Sequence, residues 1–213
     1  MAEKIVEKAF SVPPINLKRV TVVIKAKSPL ICHQFSEKSK KEIQDIQAGG
    51  KVRSKERPPK TPEVIKAEYE SSVYADSQER IGFPAINIKN GMVRAGKNAG
   101  FAMTDLKTLF WVYGEDSGLI PLKVNGKYLN AGKMEGCRMR TDWVRVGNGG
   151  TDIRYRAEIK DWEMEFVIEY DENAITPESV LNLLQRAGQG GLGEWRPTAP
   201  KNGGDYGMFE IKG

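Results

Sequence analysis

The sequence predicts an α+β fold, on three observations. Runs at 17–26, 153–160 and 162–170 alternate apolar and polar residues, the period-two signature of strands with one buried face. Two helices are opened by the same tripeptide, Thr61-Pro62-Glu63 and Thr176-Pro177-Glu178. It supplies a capping hydroxyl, a first-turn proline and a first-turn acid. The second of these helices closes at Gly188, and a glycine-rich loop leads from it to a final strand at 206–211.

In order along the chain, Pro13-Pro14 keeps the first segment extended and outside any ladder. The first strand puts Val20, Val22, Ile24 and Ala26 on one face and Arg19, Thr21, Val23 and Lys25 on the other, and Ser28-Pro29 ends it. Residues 33–61 read as a flexible basic insertion, broken by Gly49-Gly50 and Pro58-Pro59, with a short helix expected at 37–46. The helix from Thr61 should reach about Tyr74, with Val64, Ala67, Ser71 and Tyr74 along one side. A short strand is expected at 81–85, then a helix at 88–101 capped by Asn87. Gly91 and Gly96 each cost that helix about 1 kcal/mol against alanine. Together with Ala95 and Ala99 they point to a neighbour that packs very close.

Residues 104–135 mix short apolar runs with turns, Val124-Asn125-Gly126-Lys127 being a hairpin signal. Residues 136–156 read as a long hairpin with a glycine-rich tip at 147–150. The two alternating strands, the helix at 177–187, a loop at 188–205 and the last strand complete a single domain, 1–213. Reduced to its core the order is β-α-β-β-α-β, a ferredoxin-like module with the topology that also underlies the RRM.

Composition narrows the function. Hydrophobic residues at 39% and charged residues at 29% describe a soluble globular chain. No apolar run approaches membrane-span length, and the first residues lack the apolar core of a secretory signal, so the expected compartment is the cytoplasm, without a membrane partner. Two distant cysteines, Cys32 and Cys137, and a single histidine, His33, argue against a structural zinc site, and no cofactor is expected. A net charge of +5 favours a polyanionic partner. The cations cluster at 36–60 and again at Arg138, Arg140, Arg145, Arg154 and Arg156.

The loop Gln189-Gly190-Gly191-Leu192-Gly193-Glu194-Trp195-Arg196-Pro197 carries the sharpest signal. Glycines allow the close approach and positive φ of a backbone N–H nest, while Trp195 and Arg196 add a stacking face and a planar cation. Three segments then match one family pattern. They are Lys27-Ser28-Pro29-Leu30-Ile31 after the first strand, Phe83-Pro84-Ala85-Ile86-Asn87-Ile88-Lys89-Asn90-Gly91-Met92-Val93-Arg94 in the middle, and the glycine loop followed by Gly207-Met208-Phe209-Glu210-Ile211. In these the chain resembles the RAMP superfamily of CRISPR-associated proteins, and within it the backbone subunits that coat guide RNA. The segment 197–204 lengthens the C-terminal loop beyond the family pattern, and the chain is short for a backbone subunit. Both departures imply a divergent relative, of the kind borne by a phage or mobile element.

The resemblance implies an RNA-binding protein that forms a homo-oligomer along guide or other single-stranded RNA, holding the backbone largely independently of sequence. It implies that Lys89, Arg94 and Lys97 approach phosphates from the middle helix, with Asn87 near its N-terminus. Lys27 and His33 would flank the first turn. Gln189, Gly190, Gly191 and Gly193 would let the loop backbone touch the strand, with Arg196 on a phosphate and Lys201 following. Trp195 either stacks on a base or packs beneath the loop. Arg138, Arg140, Arg154 and Arg156 lie on a hairpin placed like the family's thumb, or on an ordinary exposed hairpin. No catalytic residue is assigned. A RAMP-type endoribonuclease, with His33 as general acid or base, and a phage assembly protein without a nucleic-acid ligand are the alternatives.

Overall fold

The computed structural model of this chain describes residues 13–34, 43–49, 59–146, 150–200 and 203–213. In chain order the elements are β1 (Leu17–Ala26), β2 (Leu30–Ile31), α1 (Pro62–Glu70), β3 (Tyr74–Ala75), β4 (Ile81–Pro84), α2 (Ala85–Asn98), α3 (Met103–Leu109) and β5 (Phe110–Tyr113). They continue with β6 (Leu119–Val124), β7 (Lys127–Tyr128), β8 (Cys137–Val146), β9 (Gly150–Ile159), β10 (Trp162–Asp171), α4 (Pro177–Gly190) and β11 (Phe209–Ile211). The architecture is mixed α+β and the sheets are built from antiparallel pairs.

The main sheet runs β11-β1-β10-β6-β4-β3, with β5 on the far half of β10 and β7 on β6. The alternation read in β1 and β10 sets the register. Val20, Val22 and Ile24 lie opposite Ile168, Phe166 and Met164, so one face of the pair is apolar throughout. Helices α2 and α4 cover that face, and Ile24, Ile88, Met92, Met164, Ile168 and Leu184 are fully buried between the layers. The small residues of α2 have the close neighbours they imply. A Cβ at Gly91 would stand 3.6 Å from Ala187 on α4, and one at Gly96 would overlap Leu106 of α3. The opposite face is polar and laddered with ion pairs, Arg19 to Glu169 at 2.6 Å, Lys123 to Glu165 at 3.1 Å and Lys212 to Glu163 at 2.8 Å.

A second sheet, β2-β9-β8, forms from the hairpin expected at 136–156, with Leu30 opposite Ile159 and Ile31 opposite Glu158. Helix α1 packs against β9, and the Tyr69 hydroxyl donates to Cys137 O at 2.8 Å. Of the hairpin's expected glycine tip at 147–150, residues 147–149 lie outside the described residues and Gly150 begins β9. Most of the expected insertion does too, although 43–47 is helical.

Several boundaries differ from the sequence reading. Helix α1 stops at Glu70 instead of Tyr74, because the Ser72 hydroxyl and N–H both fold back onto Tyr69 O, and Tyr74 joins β3. Helix α2 begins at Ala85 behind Pro84, so Asn87 sits within its first turn and caps nothing. It ends at Asn98, short of 101, with Gly100 at a φ of 90°. Residues 103–109 form α3, which the mixed apolar pattern did not disclose. Helix α4 extends two residues past Gly188, so Gln189 and Gly190 are helical. The Asn125-Gly126 turn is as expected, both residues having positive φ between β6 and β7.

Candidate functional site

Of the three segments that carry the resemblance, those at the start of α2 and after α4 line one cleft of about 480 Å³; residues 27–31 do not line it, but His33, just past them, does. Helix α2 contributes Asn87, Asn90, Arg94 and Asn98. At 3.6 residues per turn these spacings place all four on one stripe. Helix α4 contributes Arg186 and Gln189, again one turn apart, and its partner stripe faces α2 across the Gly91–Ala187 seam. His33 and Tyr74 complete the lining together with Glu194, Arg196 and Thr198 of the glycine loop.

Charge in the cleft is lopsided. Arg94, Arg186 and Arg196 face one carboxylate, Glu194. Among the described residues none of the three arginines is ion-paired. Arg94 donates to Thr198 O at 2.9 Å and Arg196 to Gly193 O at 2.7 Å, which orients each guanidinium while leaving donors over. Glu194 is itself engaged, its Oε1 lying 3.0 Å from His33 Nδ1. That hydrogen bond holds the Glu194 carboxyl below its ordinary range, against burial and with the help of the Arg156 and Arg196 charges. Arg156 Nη2 also lies 3.4 Å from His33 Nδ1. One ring nitrogen cannot donate and accept at once, so the shorter contact assigns the Nδ1 proton to Glu194.

The glycine loop is not the open N–H nest the sequence implied. Gly191 N–H donates to Ala187 O, Leu192 N–H to Gly207 O and Glu194 N–H to Ile31 O. Gly193 has a φ of 71°, and a Cβ there would overlap Ile31 O, so the glycine is needed to dock the loop on β2. The loop supplies a rigid cleft wall rather than bare donors.

The hairpin arginines are largely spoken for. Residues 138, 140 and 142 of β8 lie opposite 158, 156 and 154 of β9. Arg140 donates to Asp142 at 2.6 Å, to Glu158 at 3.1 Å and to the Tyr206 hydroxyl at 2.7 Å, and stacks over the Tyr206 ring. Arg156, only 5% exposed, pairs with Asp142 at 3.4 Å. Arg154 pairs with Asp152 at 3.2 Å, while Arg138 stays exposed and reaches Glu158 only at 4.0 Å.

Of the residues singled out from the sequence, the cleft therefore gathers His33, Asn87, Arg94, Gln189, Gly190, Gly191, Gly193 and Arg196. Lys89 is about half a turn from the stripe, its ammonium over the Trp111 ring, and burial lowers its pKa. Lys27 and Lys97 do not line the cleft, and Lys201 lies outside the described residues. Trp195 is half-buried, with its indole N–H buried and without a partner among the described residues. Asn90, Asn98 and Arg186 were missed. The i+3 and i+7 spacing from Asn87 to Asn90 and Arg94 was the available signal on α2, but Arg186 needed the α2–α4 seam.

A further cleft of about 370 Å³ on the open sheet face is lined by Tyr113, Lys123, Tyr128 and Glu165, whose charges are paired. Among the described residues no three His, Cys, Asp or Glu side chains are grouped to hold a metal ion, and no helix is long and apolar enough to cross a membrane. Comparison with models of known protein families and with curated proteins returns no match.

Proposed function

We propose that this chain is a single-strand nucleic-acid-binding protein, a RAMP-like subunit that lines up in copies along a guide or other single-stranded RNA. The observation that carries the reading is the cleft itself. Three segments far apart in sequence meet there with three arginines that have no ion pair among the described residues, the donor geometry that suits phosphates. The strand order β11-β1-β10-β5, with β1–α2–β5 and β10–α4–β11 connections, supports a ferredoxin-like core carrying β2, β8 and β9 as additions. The ion-paired open sheet face argues against RRM-style base stacking there and favours the cleft on the helix side. Trp143 on β8, 71% exposed, supports a role for the hairpin as a thumb reaching a neighbouring copy.

The test is a titration of a fluorescein-labelled twenty-nucleotide oligouridylate across salt concentrations. Each phosphate-bound cation contributes about −0.7 to the slope of log affinity against log salt on single strands. The Arg94→Ala/Arg186→Ala variant should lose about 1.4 of that slope with its folding intact. An unchanged slope removes the cleft from the reading.

A second reading, an endoribonuclease, is favoured by one contact, the His33–Glu194 pair within the same cleft. A carboxylate that fixes a histidine tautomer is how a general acid or base is oriented. His33→Ala separates the two readings: a binding subunit keeps its RNA and yields the same fragments as the wild type, whereas a nuclease loses a cleavage product.

A further inference from the structure

The cleft contains more side-chain amide than a phosphate-binding site requires. Asn87, Asn90 and Asn98 on α2 and Gln189 on α4 all line it, all are exposed, and none has a side-chain hydrogen bond to another described residue. A phosphate oxygen only accepts, and arginine, which only donates, serves it without waste. A carboxamide both donates and accepts. Its full capacity is used only by a group that does the same, and along a nucleic-acid strand the sugar offers such a group at every position when it is ribose and at none when it is deoxyribose. Asn87 and Asn98 are eleven residues apart on one helix stripe, about 16 Å along the axis. That is about five nucleotides of a stacked strand at 3.4 Å each. The arginine between them, Arg94, holds the charged backbone at the same level.

We propose that this amide stripe makes the cleft selective for RNA over DNA by hydrogen-bonding ribose 2′-hydroxyls. The proposal rests on reading the cleft as a nucleic-acid site, and it names the sugar as what is recognised there. The arginines then set the strength of binding to any strand, and the amides set the ratio between ribose and deoxyribose strands.

The experiment measures binding of twenty-nucleotide oligouridylate and oligodeoxyuridylate, which differ only in the sugar, to the full chain. The wild type should prefer the ribose strand by about tenfold or more, as two or more neutral hydrogen bonds would give. Asn87→Ala/Asn90→Ala/Asn98→Ala changes only exposed helix positions, toward the best helix former. It should bring the two strands within about twofold of each other while leaving the deoxy strand's affinity unchanged. Equal binding of both strands by the wild type, or a sugar preference that survives in the triple variant, overturns the proposal and leaves the binding reading intact. A triple variant that alters the oligoadenylate-to-oligouridylate ratio but keeps the sugar preference also overturns it, since the amides would then read bases. If neither strand binds, and Arg94→Ala/Arg186→Ala changes nothing, the binding reading itself fails and the proposal falls with it.

Discussion

Removing Asp142 tests the ion-pair network that fixes the second sheet to the cleft. Asp142 is 4% exposed and takes Arg140 on one oxygen and Arg156 on the other, at 2.6 and 3.4 Å. Arg140 retains Glu158 and Tyr206 if the carboxylate is lost, but Arg156 retains no described carboxylate within ion-pair distance, Glu194 acting on it only from farther off, and its Nε is already buried without a partner among the described residues. Breaking one half of a buried pair costs about 3–5 kcal/mol, because a charge is left buried and uncompensated. For a chain of this size each kcal/mol moves the melting temperature by about 2–4 °C. Asp142→Ala should therefore melt about 6–20 °C below the wild type in a circular-dichroism scan at neutral pH. The double variant Asp142→Leu/Arg156→Met replaces the pair by apolar groups and should recover most of that loss, since burying two charges is itself expensive. A single variant within about 2 °C of the wild type, or a double variant no better than the single, would refute the assignment of Arg156 as a buried charge held by Asp142.

Gly193→Ala places a Cβ against Ile31 O at a positive φ. It should lower the urea midpoint by an amount worth more than about 1 kcal/mol, with Arg94 on α2 and Arg186 on α4 untouched. Burial pushes the Cys32 thiol up to about 12 and the Cys137 thiol up to about 11. Both should resist iodoacetamide at pH 8 in the folded protein and react at once in denaturant, and rapid native labelling would contradict the packing. The Glu194 carboxyl is held below its ordinary 4.5, first by the His33 hydrogen bond. A depressed carboxyl stabilises the fold above its unfolded value and loses that contribution as pH falls through the folded one. The stability gap between wild type and Glu194→Gln should thus be present at pH 6 and close on acidification below about 4.5, as followed by urea midpoints. A gap that widens on acidification would reverse the sign.

What the sequence could disclose was whatever a few neighbouring residues decide. The Thr-Pro-Glu starts of α1 and α4, the Asn125-Gly126 turn and the alternation in β1, β9 and β10 are set by capping, by φ preferences and by one-sided burial, all local. The close packing implied by Gly91 and Gly96 was legible for the same reason, although its partners, Ala187 and Leu106, were not. Arg196 was legible as a binding residue from the glycine loop that carries it, whereas Arg94 was singled out only through the family resemblance of its segment.

Tertiary structure alone decided which charges are free. In the sequence, Arg140, Arg156 and Arg186 are equivalent cations. In the fold, antiparallel pairing of β8 with β9 brings Asp142 and Glu158 onto the first two, while Arg186 is left over the α2–α4 seam without a described carboxylate partner. The glycine loop shows the same principle. Its donors looked bare until Ile31 and Gly207, neither adjacent in sequence, arrived to accept or border them. Which polar group meets which is fixed by register and layer packing between segments that lie from 14 residues apart, as Asp142 and Arg156 do, to 161, as His33 and Glu194 do, and no local pattern of residues encodes those pairings.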